Sequence, residues 1–205
     1  MAGSSGEIFD AASSNSAVWA VVLGAVLATM GGFVATQMER YVEHRRRERN
    51  AALFFGELLT TLQIILYHAH STHGRGDPFG PITIRMLKSA RKEIEIYDRN
   101  RESLFDLHHG DLRARIQNLL IRITMPLEGI FDATDEILRC QDALRDGGAI
   151  PRPDLEARIA SLKQQRDSGY EFVVETVQAL PGIIRDLEPL ARHSFSRLDE
   201  IGRNI

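Results

Sequence analysis

The apolar residues of the chain form one uncharged run near the N-terminus and several helical stripes after it. The run extends from Ala17 to Thr36 and contains twenty residues without a charge. A helix rises about 1.5 Å per residue, so this run matches the ~30 Å hydrocarbon thickness of a bilayer. It predicts a transmembrane helix over 17–36, with a short extracytoplasmic tail at 1–16 and a cytoplasmic part at 37–205.

The charges on the two sides of the run predict its orientation. Residues 1–16 contain no Lys or Arg, so the basic segment of a cleaved signal peptide, the alternative to a retained span, is missing. Five arginines follow the run: Arg40, Arg45, Arg46, Arg47 and Arg49. Because basic residues near a span stay in the cytoplasm, we expect the N-terminus outside and the C-terminus inside. Arginine far outnumbers lysine, which favours a bacterial origin and therefore the inner membrane.

Small residues recur at every fourth position of the run, at Ala20, Gly24, Ala28 and Gly32. This spacing places them on one helix face, where a second backbone can approach closely. The row predicts a homo-oligomer or a partner helix. The alternative is that small residues are common in spans and that this row has no consequence.

Apolar residues at spacings of three and four predict four amphipathic helices after the span. The first continues the span as far as Ala69, and the second covers 82–97. Asp111 is suited to cap the third helix, which we expect to kink at Pro126. Pro153 is suited to the first turn of the fourth, with a kink at Pro181. The fold class is therefore all-α, an N-terminal transmembrane helix continuing into an antiparallel four-helix bundle.

The connections are predicted from their turn-forming residues. The segments 71–81 and 146–153 are rich in Gly and Pro and indicate turns. The segment 98–110 is either a loop or a short extra helical turn, and the last dozen residues are either frayed or a short helix. An up-and-down bundle would return 98–110 and the C-terminal tail, with their arginines, to the membrane end. The alternative is that neighbouring acidic residues pair with those arginines on solvated helix faces.

The segment from Glu93 to Ile123 resembles a pattern found in bacterial single-pass membrane proteins with a cytoplasmic helical bundle. The residues that carry the resemblance are Tyr97, Asn100, Leu104, Leu107 and the helix start at Asp111 and Leu112. The resemblance implies a turn between the second and third helices near the asparagine. It implies no activity.

Composition excludes several functional classes. The net charge of −3 gives no basic excess for nucleic acid, so no nucleic-acid partner is expected. The single cysteine, Cys140, excludes an internal disulfide framework and a multi-cysteine zinc site, and a lone helical cysteine is usually a packing residue. The chain has no HExxH helix, no GxxxxGK[ST] phosphate loop and no GxSxG elbow. We therefore expect neither an enzyme nor a cofactor.

Three histidines, His68, His70 and His73, cluster near the end of the first predicted helix. Imidazoles bind zinc and other transition metals, but residues two apart point to different sides of a helix. Only His70 and His73 share a face, and Asp77 could join them only if the loop folds back. Solvated polar residues at a helix C-terminus explain the cluster equally well, so no metal site is assigned. Glu57 and Gln63 are predicted to face away from the apolar stripe.

These features favour a membrane-anchored interaction or scaffold protein without catalytic activity, whose partners are the bilayer and either a protein partner or a second copy. One alternative is a membrane-coupled signalling or sensor subunit that uses the long first helix as a rod. A second alternative is a metal-binding protein built on the histidine cluster.

Overall fold

The computed structural model describes the backbone of residues 6–75, 77–146 and 152–203, and the side chains of 22–75, 77–146 and 152–202. Within these ranges it is entirely helical and contains no strand, which confirms the all-α prediction. A short 3-10 helix spans Arg101–Asp106. The α-helices are α1 (Gly6–His73), α2 (Pro81–Arg99), α3 (Gly110–Asp146), α4 (Pro153–Val177), α5 (Leu180–Ala191) and α6 (Ser196–Arg203). The chain divides into an N-terminal unit, Met1–Arg46, and a C-terminal unit, Arg47–Ile205.

The described side chains of the N-terminal unit, from residue 22 onward, are all exposed. Large apolar residues are among the most exposed, with Leu23 at 62%, Leu27 at 63% and Phe33 at 65%. The hydroxyl of Thr36 donates a hydrogen bond of 2.9 Å to the carbonyl oxygen of Gly32. The polar groups of this stretch are thus satisfied within the helix, while its apolar side chains have no protein around them.

By length and composition, α1 is the one helix of the described residues that could cross a membrane, with a mean hydropathy of 1.3 over its apolar window. Of that window 56% is buried. Because no described side chain up to Arg47 is buried, a window that is 56% buried falls on a second apolar stretch, Ala51 to Ala69, and not on the uncharged run. The helix therefore carries two apolar stretches, an exposed one in the N-terminal unit and a buried one in the C-terminal unit.

The second stretch forms the centre of the C-terminal core. The apolar residues of this stretch recur at spacings of three and four residues. One face of α1 is therefore buried from Ala51 to Ala69. The apolar stripes of the other helices turn inward, either to this core or to a small second cluster, but Leu138 of α3, which continues the same spacing, is 53% exposed. The fully buried side chains of this core, from the helices and from the connections at Leu107 and Phe195, include Phe55, Leu59, Leu62, Leu87, Leu107, Ile116, Leu120, Ile123, Leu127, Ile130, Leu180 and Phe195.

Contacts with α1 set the direction of its neighbours. Thr83 at the start of α2 donates a 3.2 Å hydrogen bond to Thr72 at the end of α1. Near the other end of α2, Tyr97 meets Phe55 with ring centroids 6.0 Å apart. The two helices therefore run in opposite directions.

The connection before α3 and the end of α5 both reach the first residues of the C-terminal unit. The Glu48 carboxylate accepts a 3.2 Å hydrogen bond from the backbone N–H of His108. The guanidinium of Arg49 donates one of 3.2 Å to the carbonyl oxygen of Ala191. The segment 98–110 and the end of α5 therefore both contact the first turn of α1 within this unit.

The C-terminal tail departs from the expectation for an up-and-down bundle. After Ala191, Arg192 adopts a left-handed conformation (φ 51°), and the chain reverses into α6. α6 then runs back along α1, where the carbonyl oxygen of Gly202 meets the His68 ring nitrogen at 2.7 Å. The expectation that the whole tail returns its arginines to one end was wrong, because the reversal at Arg192 carries Arg197 and later residues away.

Helices α3 and α4 pack along each other beyond the main core. Gly169 of α4 lies against Ile130 and the Pro126 carbonyl of α3. Farther along the pair, Cys140 is buried in a small second cluster. That cluster also contains Ala133, Ile137, Ile159 and Leu162. Cys140 is therefore a packing residue here, as predicted.

Several predicted helix boundaries need correction. Asp111 is not a cap, because α3 already begins at Gly110 and Asp111 lies in its first turn. At Pro126, by contrast, the prediction of one continuing helix is confirmed, because α3 runs through this residue without ending. The predicted kink at Pro181 is instead a break at residues 178–179, and Pro181 occupies the first turn of α5, where its missing N–H costs no hydrogen bond. The 3-10 helix confirms the extra helical turn within 98–110. α6 confirms the short helix near the C-terminus. Most of the predicted turn at 146–153 lies outside the described residues.

Candidate functional site

Four aromatic rings and one guanidinium meet where the end of α1, the following loop and α4 come together. His73 stacks on Tyr170 with ring centroids 4.0 Å apart and an interplanar angle of 10°. Phe79, from the loop, meets both rings edge-on at 5.0 and 5.7 Å. The Arg166 guanidinium lies 3.9 Å from the Phe79 ring centroid. With His70, these residues are called the aromatic cluster below.

A hydrogen bond links His70 to Tyr170, the central ring of the aromatic cluster. Its Nδ1 atom lies 3.1 Å from the Tyr170 hydroxyl, and the two rings are nearly parallel at 13° with centroids 6.2 Å apart. Because α1 places His70 and His73 three residues apart, one face of the helix presents both rings to the same tyrosine. The two histidines therefore lie on the same face of α1, as predicted, and both contact the phenol ring of Tyr170.

Burial disfavours the charged form of three side chains in the aromatic cluster, Tyr170, His73 and Arg166. It raises the pKa of Tyr170 to about 12, so the hydroxyl remains protonated at neutral pH. Burial, and then the charge of His70, lower the pKa of His73, while Asp167 opposes that change. Burial also lowers the pKa of Arg166, whose Nε atom is buried without a hydrogen-bond partner. These three side chains are therefore weakly solvated, and burial shifts each of them toward its neutral form.

A cavity of about 220 Å³ adjoins the aromatic cluster inside the C-terminal unit. One wall is made by apolar side chains, and the polar groups are confined to neutral amide, phenol and imidazole side chains. The lining residues are Gln63, Leu66, Tyr67, His70, Leu87, Tyr170, Val173, Val174, Val177, Gln178 and Pro181. No Lys, Arg, Asp or Glu belongs to this lining.

The helix break between α4 and α5 forms part of the cavity wall. Val177 ends α4, Gln178 lies in the break, and Pro181 is in the first turn of α5. The backbone N–H of Gln178 bonds to the Glu175 carbonyl at 3.2 Å, and that of Ala179 bonds to the Thr176 carbonyl at 3.1 Å. These are tightened turns, so the interruption leaves few backbone groups unpaired while it redirects the chain beside the cavity.

The three histidines proposed as metal ligands do not converge. His68 turns toward α6, where its Nε2 atom donates to the carbonyl oxygen of Gly202. His70 and His73 point to Tyr170 instead. Among the described residues, no group of three or more His, Cys, Asp and Glu side chains is arranged to hold a metal ion.

The residues proposed for membrane contact lie mainly in the N-terminal unit. Gly24, Ala28 and Gly32 are exposed there, while the side chain of Ala20 lies outside the described residues. Arg40, Arg45 and Arg46 are also exposed, and the Arg45 guanidinium lies 5.1 Å from the Tyr41 ring centroid. Arg47 and Arg49 belong to the C-terminal unit, in which Arg49 binds the end of α5.

Sequence reasoning missed several residues of the site. Gln63 was predicted to face away from the stripe but is buried, because α6 covers that face and its Asp199 accepts a 3.3 Å hydrogen bond from the Gln63 amide. The sequence patterns single out neither Tyr170 nor Phe79, which lies in the predicted turn at 71–81. A large aromatic residue inside a Gly- and Pro-rich turn is a signal that the turn packs onto the core. The break at residues 178–179 carried no such signal.

No protein-family model, curated protein or solved structure matches this chain.

Proposed function

We propose that this chain is a single-pass protein of a bacterial inner membrane whose cytoplasmic helical unit serves as an interaction module. The observation that carries the proposal is the exposure of the apolar residues in the N-terminal unit. Val22, Leu23, Val26, Leu27 and Phe33 are each about half or more exposed. In water such a helix would expose a large continuous apolar surface, which soluble proteins rarely do, whereas lipid would cover it.

The flanking charges support the orientation. The arginines at 40–49 follow the apolar run, and residues 1–16 contain none. Basic residues close to a span are retained on the cytoplasmic side, so residues 37–205 are placed in the cytoplasm. Tyr41 lies just past the run, where interfacial aromatic residues are enriched.

The finer architecture proposed for the C-terminal unit is an antiparallel four-helix bundle in which α4 and α5 together supply the fourth helix. Three contacts support it: Thr83 with Thr72 for α2, Glu48 with His108 for the start of α3, and Arg49 with Ala191 for the end of α5. Their order along α1 fits alternating helix directions with short connections.

The placement of the span is tested by membrane fractionation and by locating the C-terminus of the protein. We expect full-length protein to sediment with membranes and to stay there after an alkaline carbonate wash. A C-terminal fusion to a fluorescent protein that matures only in the cytoplasm should be bright. A C-terminal alkaline phosphatase fusion, which is active only in the periplasm, should be inactive. Protein in the supernatant, or the reverse reporter pattern, would contradict the proposal.

A second copy of the chain is the partner that the span itself supports. Gly24 and Gly32 lie on one face, and a methyl group in place of either hydrogen would meet no other atom within 4 Å. Thr36 keeps its hydroxyl bonded to the Gly32 carbonyl, so the face is smooth and free of unsatisfied polar groups. Close approach of a second helix along such a face is favoured by van der Waals packing.

Self-association is expected to weaken when this face is filled. Gly24→Leu and Gly32→Leu, made together, should abolish the signal of an in-membrane two-hybrid assay. The matched control is Gly31→Leu, a neighbouring glycine with equally open surroundings that lies off the row. Equal signals from the double variant and the control would show that the row is not an interface.

A further inference from the structure

We infer that the cavity beside the aromatic cluster is a binding site for a small, neutral, aromatic molecule with one hydrogen-bonding group. The site lies within the C-terminal unit, so the inference does not depend on the membrane proposal. It goes beyond an interaction role because it assigns the C-terminal unit a ligand.

The size of the cavity sets the size of the occupant. An engineered apolar cavity of about 150 Å³ binds benzene, so a volume of 220 Å³ accommodates, in proportion, roughly nine non-hydrogen atoms. This is below the usual range for drug-sized ligands, which starts near about 300 Å³. A helix from a protein partner would need anchor positions along several turns, so a compact molecule fits this cavity better.

The charge of the lining sets the charge of the occupant. No Lys, Arg, Asp or Glu lines the cavity, so an ionised ligand would lose its hydration without gaining a counter-ion. The behaviour of the adjoining groups agrees, because burial favours the neutral forms of His73 and Tyr170. Anionic molecules such as fatty acids are therefore disfavoured, and neutral molecules are favoured.

The chemistry of the lining favours an aromatic ring with one polar substituent. The rings of Tyr67, His70 and Tyr170 line one part, and valine and leucine side chains line the rest. Offset or edge contacts between rings add to simple apolar burial. The amides of Gln63 and Gln178 can each donate and accept a hydrogen bond, so a single hydroxyl or N–H of the ligand would find a partner.

The break between α4 and α5 lies in the cavity wall, so the backbone there can adjust to an occupant. Val177 and Pro181 lie on opposite sides of the break and both line the cavity. An occupant would contact α1 through Leu66 and both segments α4 and α5. Binding would therefore couple three elements that meet at an interrupted backbone.

The test uses full-length protein in lipid nanodiscs and isothermal titration calorimetry at about pH 8, where carboxylic acids are ionised. The probe is 2-phenylethanol, which has the size argued above, and the matched anion is phenylacetate. Empty nanodiscs give the heat of partitioning into lipid, which is subtracted. We expect saturable binding of the alcohol with a dissociation constant at least about ten-fold below that of the anion. The saturated analogue 2-cyclohexylethanol should bind more weakly than the aromatic alcohol.

Two variants connect the binding to this cavity. Val177→Phe should fill the space and abolish binding, whereas Ile121→Phe adds the same ring to an exposed position of α3 and should leave binding unchanged. Val174→Ala enlarges the cavity and remains informative if the larger substitution impairs folding. It should raise the affinity for the bulkier 2-(2-naphthyl)ethanol by about three-fold or more. Absence of saturable alcohol binding, equal binding of alcohol and anion, or binding that neither cavity variant changes would overturn the inference.

Discussion

Replacing Leu23 and Leu27 by arginine is expected to release the protein from membranes. Both side chains are about two-thirds exposed, near the middle of the uncharged run. An arginine at the centre of a span costs about 2.5–3.5 kcal/mol on the insertion scale, so two in place of leucines add roughly 7 kcal/mol. The run contains eight Val, Leu and Phe residues, each of which contributes only about −0.3 to −0.6 kcal/mol. The substitutions therefore outweigh the favourable total.

The measurement is the share of full-length protein in the membrane pellet after ultracentrifugation and a carbonate wash. The matched control carries the same two arginines at Ile121 and Met125, which are exposed on α3 of the C-terminal unit. It should sediment like the unsubstituted protein. If both double variants remain in the pellet, the run does not anchor the chain; if both leave it, added charge alone explains the release.

Most of the helices could be predicted from the sequence because they depend on local periodicity. The stripe from Phe55 to Ala69 recurs at three and four, so its burial follows from any arrangement that covers one helix face. Leu138 shows the limit of this reasoning. It continues the periodic pattern of α3 but is 53% exposed, because periodicity does not say where the neighbouring helices end.

The candidate site was less predictable because it depends on which helices become neighbours. His70 and His73 were correctly placed on one face, but their partner Tyr170 is a hundred residues from His70 along the chain. No spacing rule connects residues so distant. The cavity was also not predictable, since it arises where a break in the fourth helix meets α1, and the sequence around Pro181 predicted only a kink.

The docking of the C-terminal tail depends on one glycine in α1. Phe195 is buried to 1% exposure and its ring lies over Gly56, so closely that a Cβ at this position would overlap the ring. Glycine in a helix interior costs about 0.5–1 kcal/mol relative to alanine. At Gly56 that cost is offset by the burial of a phenylalanine.

Gly56→Ala is therefore expected to destabilise the C-terminal unit, although alanine is the better helix former. Pushing Phe195 out of its place resembles overpacking of a core, which costs typically about 1–3 kcal/mol. Phe195→Ala removes the ring altogether and should cost about 3–5 kcal/mol. Urea unfolding of full-length protein in nanodiscs, followed by far-ultraviolet circular dichroism, measures both changes.

The double variant Gly56→Ala/Phe195→Ala is the decisive test, because the change in unfolding free energy caused by Gly56→Ala should have the opposite sign there. Without the ring of Phe195, the three atoms nearest to a Cβ at position 56 are gone, so Gly56→Ala should stabilise the Phe195→Ala protein by about 0.5–1 kcal/mol. The same substitution then changes sign with the background, which only direct contact between the two residues explains. Gly129→Ala is the matched control: this glycine lies within α3 with nothing within 4 Å, so its substitution should stabilise both backgrounds equally. If Gly56→Ala behaves like Gly129→Ala in the unsubstituted protein, Phe195 does not occupy the space above Gly56, and α6 is not held on α1 in this way.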